Sequence, residues 1–468
     1  MRGDRMHQDV NNIYIKWPRL GRKRSGQNSK WRRAAFLFVL TASSVSAQEQ
    51  SPVPIKEIIA GTSKATPAGQ PVPSRQTRTI TLSDAVSIFL QQNLQLVAAR
   101  YDIDTADAEK LTAKLRPNPQ ISFTAADIPL DFHRLFINPQ TFDYGVSQTI
   151  ELGGKRQKRI DATNADADVA RAQFETTVWQ LTNDLKRKFY TVLLAQALLN
   201  LSKENQRTFE ETVTHTREVF QLGEISGLDL QRLEIEKFKF DTDLANSQRD
   251  YEVALRDLRV SLGGDYRAMN IEAAGAIDYY QPYNFSLADL RSKALTARPD
   301  LKVARLSERS ADAAIRLQDA QKVPDITVGA GIEQVAIGGS TYNVGVSLPI
   351  PVTDRNQGER AKAHIQKMKA QNDQAAITNQ IQGDVDKALA AYEIQKKRVE
   401  LYRTGILTKV TDIQTLTEVS LKAGESSTLD LLDAIRTRRD TLAGFYQTIF
   451  DYQMSLLDLE LATATPLP

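Results

Sequence analysis

The sequence predicts a mainly α chain with a small β part, built as two copies of one unit. Three observations predict it. Matching blocks of residues recur about 200 positions apart. Long stretches without proline carry apolar residues at a 3.5-residue period. Each unit also holds two short stretches that alternate apolar and polar residues.

The duplication is read directly. Leu82, Asp84, Leu90, Leu96, Ala99 and Arg100 recur 205 positions later as Leu287, Asp289, Leu295, Leu301, Ala304 and Arg305. The same offset carries Pro119 to Pro324 and Ile121 to Ile326. Gly145-Val146-Ser147 returns as Gly345-Val346-Ser347. Gly223-Glu224 and Leu228-Asp229-Leu230 return as Gly424-Glu425 and Leu429-Asp430-Leu431. Four blocks in one order define repeats over 79–264 and 286–463, joined by a connection over 265–285.

Ahead of the repeats, residues 1–47 read as a signal peptide. Lys30, Arg32 and Arg33 precede the apolar run Ala34 to Leu40, and Val45-Ser46-Ala47 resembles a cleavage site. Residues 48–78, rich in Pro, Ser, Thr, Gln and Gly, read as a flexible linker. The leader holds ten Lys/Arg and two acids, so the net charge of +3 splits into +8 there and 3 − 8 = −5 elsewhere. The basic pI therefore gives no case for nucleic-acid binding. No stretch after the leader reaches 18 uninterrupted apolar residues, so any membrane crossing must be made by β-strands.

In the first repeat, residues 82–115 read as one helix ending before Pro117. Ile121, Phe123 and Ala125, then Phe142, Tyr144 and Val146, give a strand pair around a turn with Pro129, Asn138 and Pro139. The second repeat answers with Ile326, Val328, Ala330 and Ile332, then Tyr342, Val344, Val346, Leu348 and Ile350. Each strand has room for about 9–11 residues, enough to cross a bilayer tilted. Patterning alone fits a soluble sheet or a membrane barrel equally. Four strands cannot close a membrane barrel, so the second reading needs several chains.

Residues 154–221 hold no proline and one glycine at the start, which predicts a helix on the order of 100 Å. A return helix follows from about 227 to 262. Leu230, Leu233, Phe240, Leu244, Tyr251, Ala254 and Leu258 hold the 3.5 register of antiparallel coiled-coil packing. The pattern repeats over 356–421 and 427–462. Each repeat thus ends in a long hairpin, turning near Gly223 and Gly424.

At this point the sequence resembles the TolC family of outer-membrane efflux proteins, over about 79–463. Four places carry the likeness. They are Leu82-Ser83-Asp84-Ala85, Ser147 to Arg156, Leu348-Pro349-Ile350-Pro351 with Asp354 to Gly358, and Ala423 to Ala434. The second and third resemble the heavy-metal, CzcC-like branch. The resemblance implies a homotrimer in the outer membrane of a Gram-negative bacterium, extending into the periplasm. Each chain would give four strands to a trimeric 12-stranded β-barrel in outer-membrane lipid, and the hairpins would form a hollow α-barrel. A periplasmic adaptor (membrane fusion) protein would dock on the hairpin tips, and an inner-membrane resistance-nodulation-division pump would load the duct. The implied cargo is heavy-metal cations such as cobalt, zinc or cadmium. Drug efflux or type I secretion by the same fold is the alternative, with a periplasmic coiled-coil adaptor behind it.

By the same resemblance, Asp430 and Asp433 line the pore constriction, where three copies would stack two carboxylate rings that favour cations. Spacing puts both on one helical face, and the bland reading is a first helical turn that prefers acids. Gly223, Leu228, Asp229, Gly424 and Leu429 are candidate adaptor contacts, although Gly also simply ends helices. Relatives lock the tip with an arginine just after the glycine; Ser426 stands there instead. No metal site and no cofactor are expected. The four histidines, His7, His133, His215 and His364, are not at ligand spacing, and there is no cysteine. No catalytic motif is present, so the chain is not expected to be an enzyme.

Overall fold

The computed structural model describes residues 78–127, 141–223, 225–267, 269–335, 338–423 and 425–467. The expected signal peptide and almost all of the expected linker lie outside the described residues, as do the turn prolines Pro129 and Pro139, and Gly424. Elements run in the order β1 (Arg78–Ile80), α1 (Leu82–Gln92), α2 (Leu94–Ala113), β2 (Gln120–Ala126), β3 (Thr141–Ile150), α3 (Lys155–Gln221) and α4 (Gly227–Leu262). The second half brings β4 (Ile271–Ala273), α5 (Leu287–Ala297), α6 (Pro299–Gln321), β5 (Ile326–Val335), β6 (Gly339–Ser347), α7 (Gln357–Leu401), α8 (Leu407–Lys422) and α9 (Thr428–Thr463). Helix pair, strand pair and long hairpin therefore occur twice.

The opening helix of the first repeat is two helices. Asn93 breaks it, because its backbone is extended and its Oδ1 accepts from the amides of Gln95 and Leu96 at 2.9 and 3.1 Å. A short side chain that bonds its own backbone competes with helix and favours a cap. Asn93 Nδ2 also donates to the Ser261 carbonyl at 2.8 Å, tying the break to the end of α4.

α3 has 67 residues, about 100 Å at 1.5 Å per residue. Gly153 and Gly154 precede it at φ 69° and 70°. A Cβ on Gly153 would sit 3.0 Å from the Val323 side chain, so the strand-to-helix turn needs glycine twice over. In the second repeat Asn356 takes the left-handed position at φ 60°, and Gly358 already lies inside α7. The first leg of the second hairpin is interrupted where the sequence pattern ran on. Tyr402–Ile406 forms a wide turn with Gly405 at φ 114°, separating α7 from α8.

Part of each predicted 3.5-residue stripe is fully buried, and the rest is half-buried. Leu233, Phe240, Ala254 and Leu258 of α4 are buried, as are Leu432, Ile435 and Ile449 of α9. One core joins α1, α3 and α4 with the parallel pair β1–β4 and, through Tyr392 and Tyr452, reaches α7 and α9. The extended chain before α5 is held there: Tyr392 Oη bonds the amide and carbonyl of Tyr283 at 2.8 and 2.9 Å, and Tyr452 Oη donates to the Gln281 carbonyl at 2.6 Å. A second core near the tips packs Phe209 on Phe240, ring centres 4.5 Å apart, with Val213, Leu431, Leu432 and Ile435.

Asn93→Ala removes a cap and a tie between elements, and should cost about 2 kcal/mol. Faster amide exchange at Gln95 and Leu96 than in the parent checks it.

Candidate functional site

Two regions are candidates for function, the sheet and the hairpin tips. The sheet has the order β2-β3-β5-β6, antiparallel throughout. Residues directly opposite share a face. Ile121 faces Val146, which faces Ala330, which faces Val344. Phe123, Tyr144, Ile332 and Tyr342 make the next row. One face is thus continuously apolar, and it is open: Ile121 is 86% exposed and Tyr342 83%. Phe123 lies 5.2 Å from Tyr144 and 6.3 Å from Phe142, ring to ring.

The other face carries Ser122, Thr124, Ser147, Thr149, Thr327, Thr341 and Asn343 among glycines. Its charged residues are Asp143 and Glu333, placed directly opposite each other. The four strands contain no lysine, arginine or histidine. Like charges at directly opposed positions repel, so this face suits a wet, cation-rich environment. Among the described residues β2 and β6 each have one neighbour, so both edges offer unpaired backbone groups. No helix among the described residues is long and apolar enough to cross a membrane.

At the first tip, Gly223 turns the chain at φ 80° and Ser226 caps α4 by accepting from the Asp229 amide at 3.3 Å. Asp229 is engaged on its own helix by Arg232, 3.6 Å away, and Leu228 is 57% exposed. At the second tip Ser427 and Asp430 form a capping box. Ser427 N–H and Oγ both reach Asp430 Oδ2, at 2.8 and 2.7 Å, and Asp430 N–H donates back to Ser427 Oγ at 3.2 Å. These bonds hold the Asp430 carboxyl below its ordinary value of 3.8. Asp430 is therefore committed to its cap. Asp433, one turn on, keeps its side chain 78% exposed, with Arg436 3.7 Å away. Ser426 Oγ donates to the Thr417 carbonyl at 3.3 Å, a tie within its own hairpin.

Between the two tips runs a groove of about 1050 Å³, and Asp229 and Leu429 line it with His215, Glu418 and Ser427. The structure brings those two predicted tip residues together. Leu228 and Gly223 stand outside the groove, and Gly424 lies outside the described residues.

Sequence reasoning missed the ties between hairpins. Glu236 of α4 is 4% exposed and is gripped by Arg436 of α9 at 2.9 and 2.5 Å, with Lys239 at 2.9 Å. Arg436, then Lys239, holds its carboxyl below the ordinary range. Arg439 reaches Asp243 at 3.2 Å and stacks over Phe240. The signal was present: Glu236 stands between Leu233 and Phe240 in an otherwise apolar stripe. His215 lies 3.8 Å from Glu218, His133 is outside the described residues, and no group of three or more His, Asp or Glu among the described residues could hold an ion.

Glu236→Ala should destabilise the lower hairpins by about 2 kcal/mol, because it strands Arg436; chemical denaturation checks it. Asp430, with its folded value lowered, stabilises the second tip fully above pH 3.8, and that support is lost as pH falls through the folded value. Protection of the amides of residues 428–431, taken relative to their intrinsic exchange rates at each pH, should therefore fall on acidification below pH 4, and Ser427→Ala should lower it likewise at neutral pH.

The architecture agrees with known proteins. The profile of outer membrane efflux proteins matches residues 85–264 and 290–464, once on each half. The cobalt-zinc-cadmium resistance protein CzcC of Cupriavidus metallidurans is 24% identical over 76% of this chain and 84% of its own length. Nodulation protein T of Rhizobium leguminosarum is 23% identical over 79% of this chain and 82% of its own. The crystal structure of CusC superposes with a TM-score of 0.68 at 17% identity, over 85% of this chain and 96% of that one. A duplicated helical hairpin carrying an apolar-faced sheet, matched in both halves by one profile, makes this chain a member of the outer membrane efflux protein family, a transport channel of the outer membrane and not an enzyme.

Proposed function

We propose that three copies share one twelve-stranded barrel and form the passive exit duct of a tripartite efflux system for heavy-metal cations such as cobalt, zinc or cadmium. The four-stranded sheet carries the proposal. Its apolar face suits lipid, its polar face suits a water-filled lumen, and its two unpaired edges need neighbours. An aromatic row of Phe123, Tyr144 and Tyr342 matches the girdle such barrels place at a membrane boundary.

Two observations favour cations as cargo. The polar face of the sheet is charged by acids alone, Asp143 beside Glu333. At the far end, Asp433 presents a carboxylate to solvent. Repeated by three chains, each would form a ring that attracts cations and repels anions. Asp430 would add its charge from inside its cap. The CzcC relative, named for cobalt, zinc and cadmium resistance, points the same way. Selection of the metal would lie with the inner-membrane resistance-nodulation-division pump. An adaptor protein would dock at the tips, where the groove with Asp229 and Leu429 offers a polar-walled seat, and Gly223 and Leu228 of the first tip would add to the contact. Drug efflux or type I secretion through the same duct is the alternative.

A strain lacking the chain should become sensitive to cobalt, zinc or cadmium while keeping its resistance to dyes and antibiotics. Sensitivity confined to dyes and antibiotics would overturn the metal assignment. In planar bilayers Asp433→Asn should reduce cation over anion selectivity several-fold; unchanged selectivity would remove Asp433 from the constriction.

A further inference from the structure

We propose that the junction between sheet and helices is a binding collar for anionic phospholipid headgroups of the periplasmic leaflet, on the reading that the apolar face of the sheet meets lipid. The chain passes between sheet and helices four times, over residues 114–119, 151–160, 322–325 and 348–360. These passages hold nine Lys/Arg and four Asp/Glu, a surplus of five positive charges. The strands they continue hold no cation at all. Basic residues clustered beside a membrane-facing apolar surface are the charge pattern that recognises phosphate headgroups.

Side-chain bonds bring the four passages to one level. Arg156 Nε donates to the Lys114 carbonyl at 2.8 Å, and Arg159 donates to the carbonyls of Ala113 and Leu115 at 3.2 and 3.1 Å. The end of α2 is thereby capped by the start of α3. Lys155 pairs with Asp325 at 2.7 Å, which joins α3 to the entry of β5. Asn356 Nδ2 donates to the Gln318 carbonyl at 2.9 Å and Arg360 pairs with Asp319 at 2.5 Å, which joins α7 to α6. The junction is a continuous strip under the sheet.

Three of its cations are committed: Lys155, Arg159 and Arg360 pair with Asp325, Glu151 and Asp319. The other six, Lys114, Arg116, Arg156, Lys158, Lys322 and Arg355, have no carboxylate partner among the described residues. Lys114, Arg116 and Lys322 are exposed. Arg156 and Arg355 each give one N–H to a carbonyl and keep their other donors, and a guanidinium fork matches a phosphate.

Two contacts put the strip on the lipid side. Arg355 bonds the Pro351 carbonyl at 3.3 Å, between Ile350 and Val352, which are 79% and 72% exposed. Gln148 belongs to the apolar face by register and donates to the Pro117 carbonyl at 2.9 Å, beside Arg116. The height agrees as well. From Tyr342 in the aromatic row to Val352 is ten residues. An extended chain tilted by about 40° covers about 25 Å of membrane over that length, the height of the apolar band of such barrels. The cations therefore begin where hydrocarbon gives way to headgroups, within reach of their long side chains.

Native mass spectrometry of the full chain in mild detergent, titrated with phosphatidylglycerol or phosphatidylethanolamine, tests the collar. The parent should retain the anionic lipid several-fold better than the zwitterionic one, and roughly 0.5 M ammonium acetate should shrink that preference by screening. Lys114→Gln, Arg116→Gln and Lys158→Gln together should weaken phosphatidylglycerol binding by about tenfold or more, at about fivefold for each basic residue near an anionic surface. Lys293→Gln, Arg305→Gln and Arg309→Gln remove the same charge from exposed positions of α5 and α6, about 20 Å or more from the junction, and should leave binding unchanged. Equal retention of the two lipids by the parent, a preference that survives the first variant, or an equal fall in both variants would overturn the collar and leave the lipid-facing sheet standing. Retention of neither lipid would remove the lipid-facing reading as well.

Discussion

A strand edge in hydrocarbon leaves N–H and C=O groups without partners, at several kcal/mol each, and that constraint shapes everything else in this chain. The sheet of β2, β3, β5 and β6 is apolar on one side from Ile121 across to Val344, a surface fit for lipid. It nonetheless stops at two open edges. A closed barrel is the one arrangement that satisfies both facts, and four strands are too few to close. Family membership and the fold of CusC are consistent with this account of why the sheet looks as it does.

The helical part follows from the same duplication. Two repeats place two hairpins side by side, and their lower halves are joined by buried chemistry rather than by a continuous backbone. Phe209, Phe240, Leu432 and Ile435 make the apolar contact. Glu236 with Arg436, and Asp243 with Arg439, fix how the hairpins lie against each other. A buried carboxylate held by two cations tolerates little change in geometry, so it favours a small set of arrangements. The break at Tyr402–Ile406 lies above that joint, and Gly405 supplies a backbone angle that other residues rarely adopt. The tips below it carry Asp433 and the groove between hairpins.

Much of this was legible in the sequence. Period-two patterning located the strands, and the 3.5-residue stripe picked out Leu233, Phe240, Leu258 and Ile449 as core. The first hairpin turn was marked by Gly223. What escaped has physical reasons. Asn93 reads as one polar residue on a helix until its side chain is seen to bond two amides and the Ser261 carbonyl, and that last partner is 168 positions away. Gly405 gave no warning, because a single glycine inside a long apolar pattern is usually tolerated. β1 and β4 are three residues each and pair across nearly two hundred positions, too short for any periodic signal. At the candidate site, spacing correctly put Asp430 and Asp433 on one helix. It could not show that Asp430 bonds Ser427 while Asp433 faces solvent. The partner of Glu236 lies 200 positions away, beyond the reach of local pattern.

The mass of the intact complex, measured by native mass spectrometry on protein extracted from outer membranes in mild detergent, tests the central claim most directly. The account predicts a species of three chains that falls to single chains only after heating. A monomer that keeps its folded sheet in detergent would contradict it, because the edges of β2 and β6 would then stand without partners.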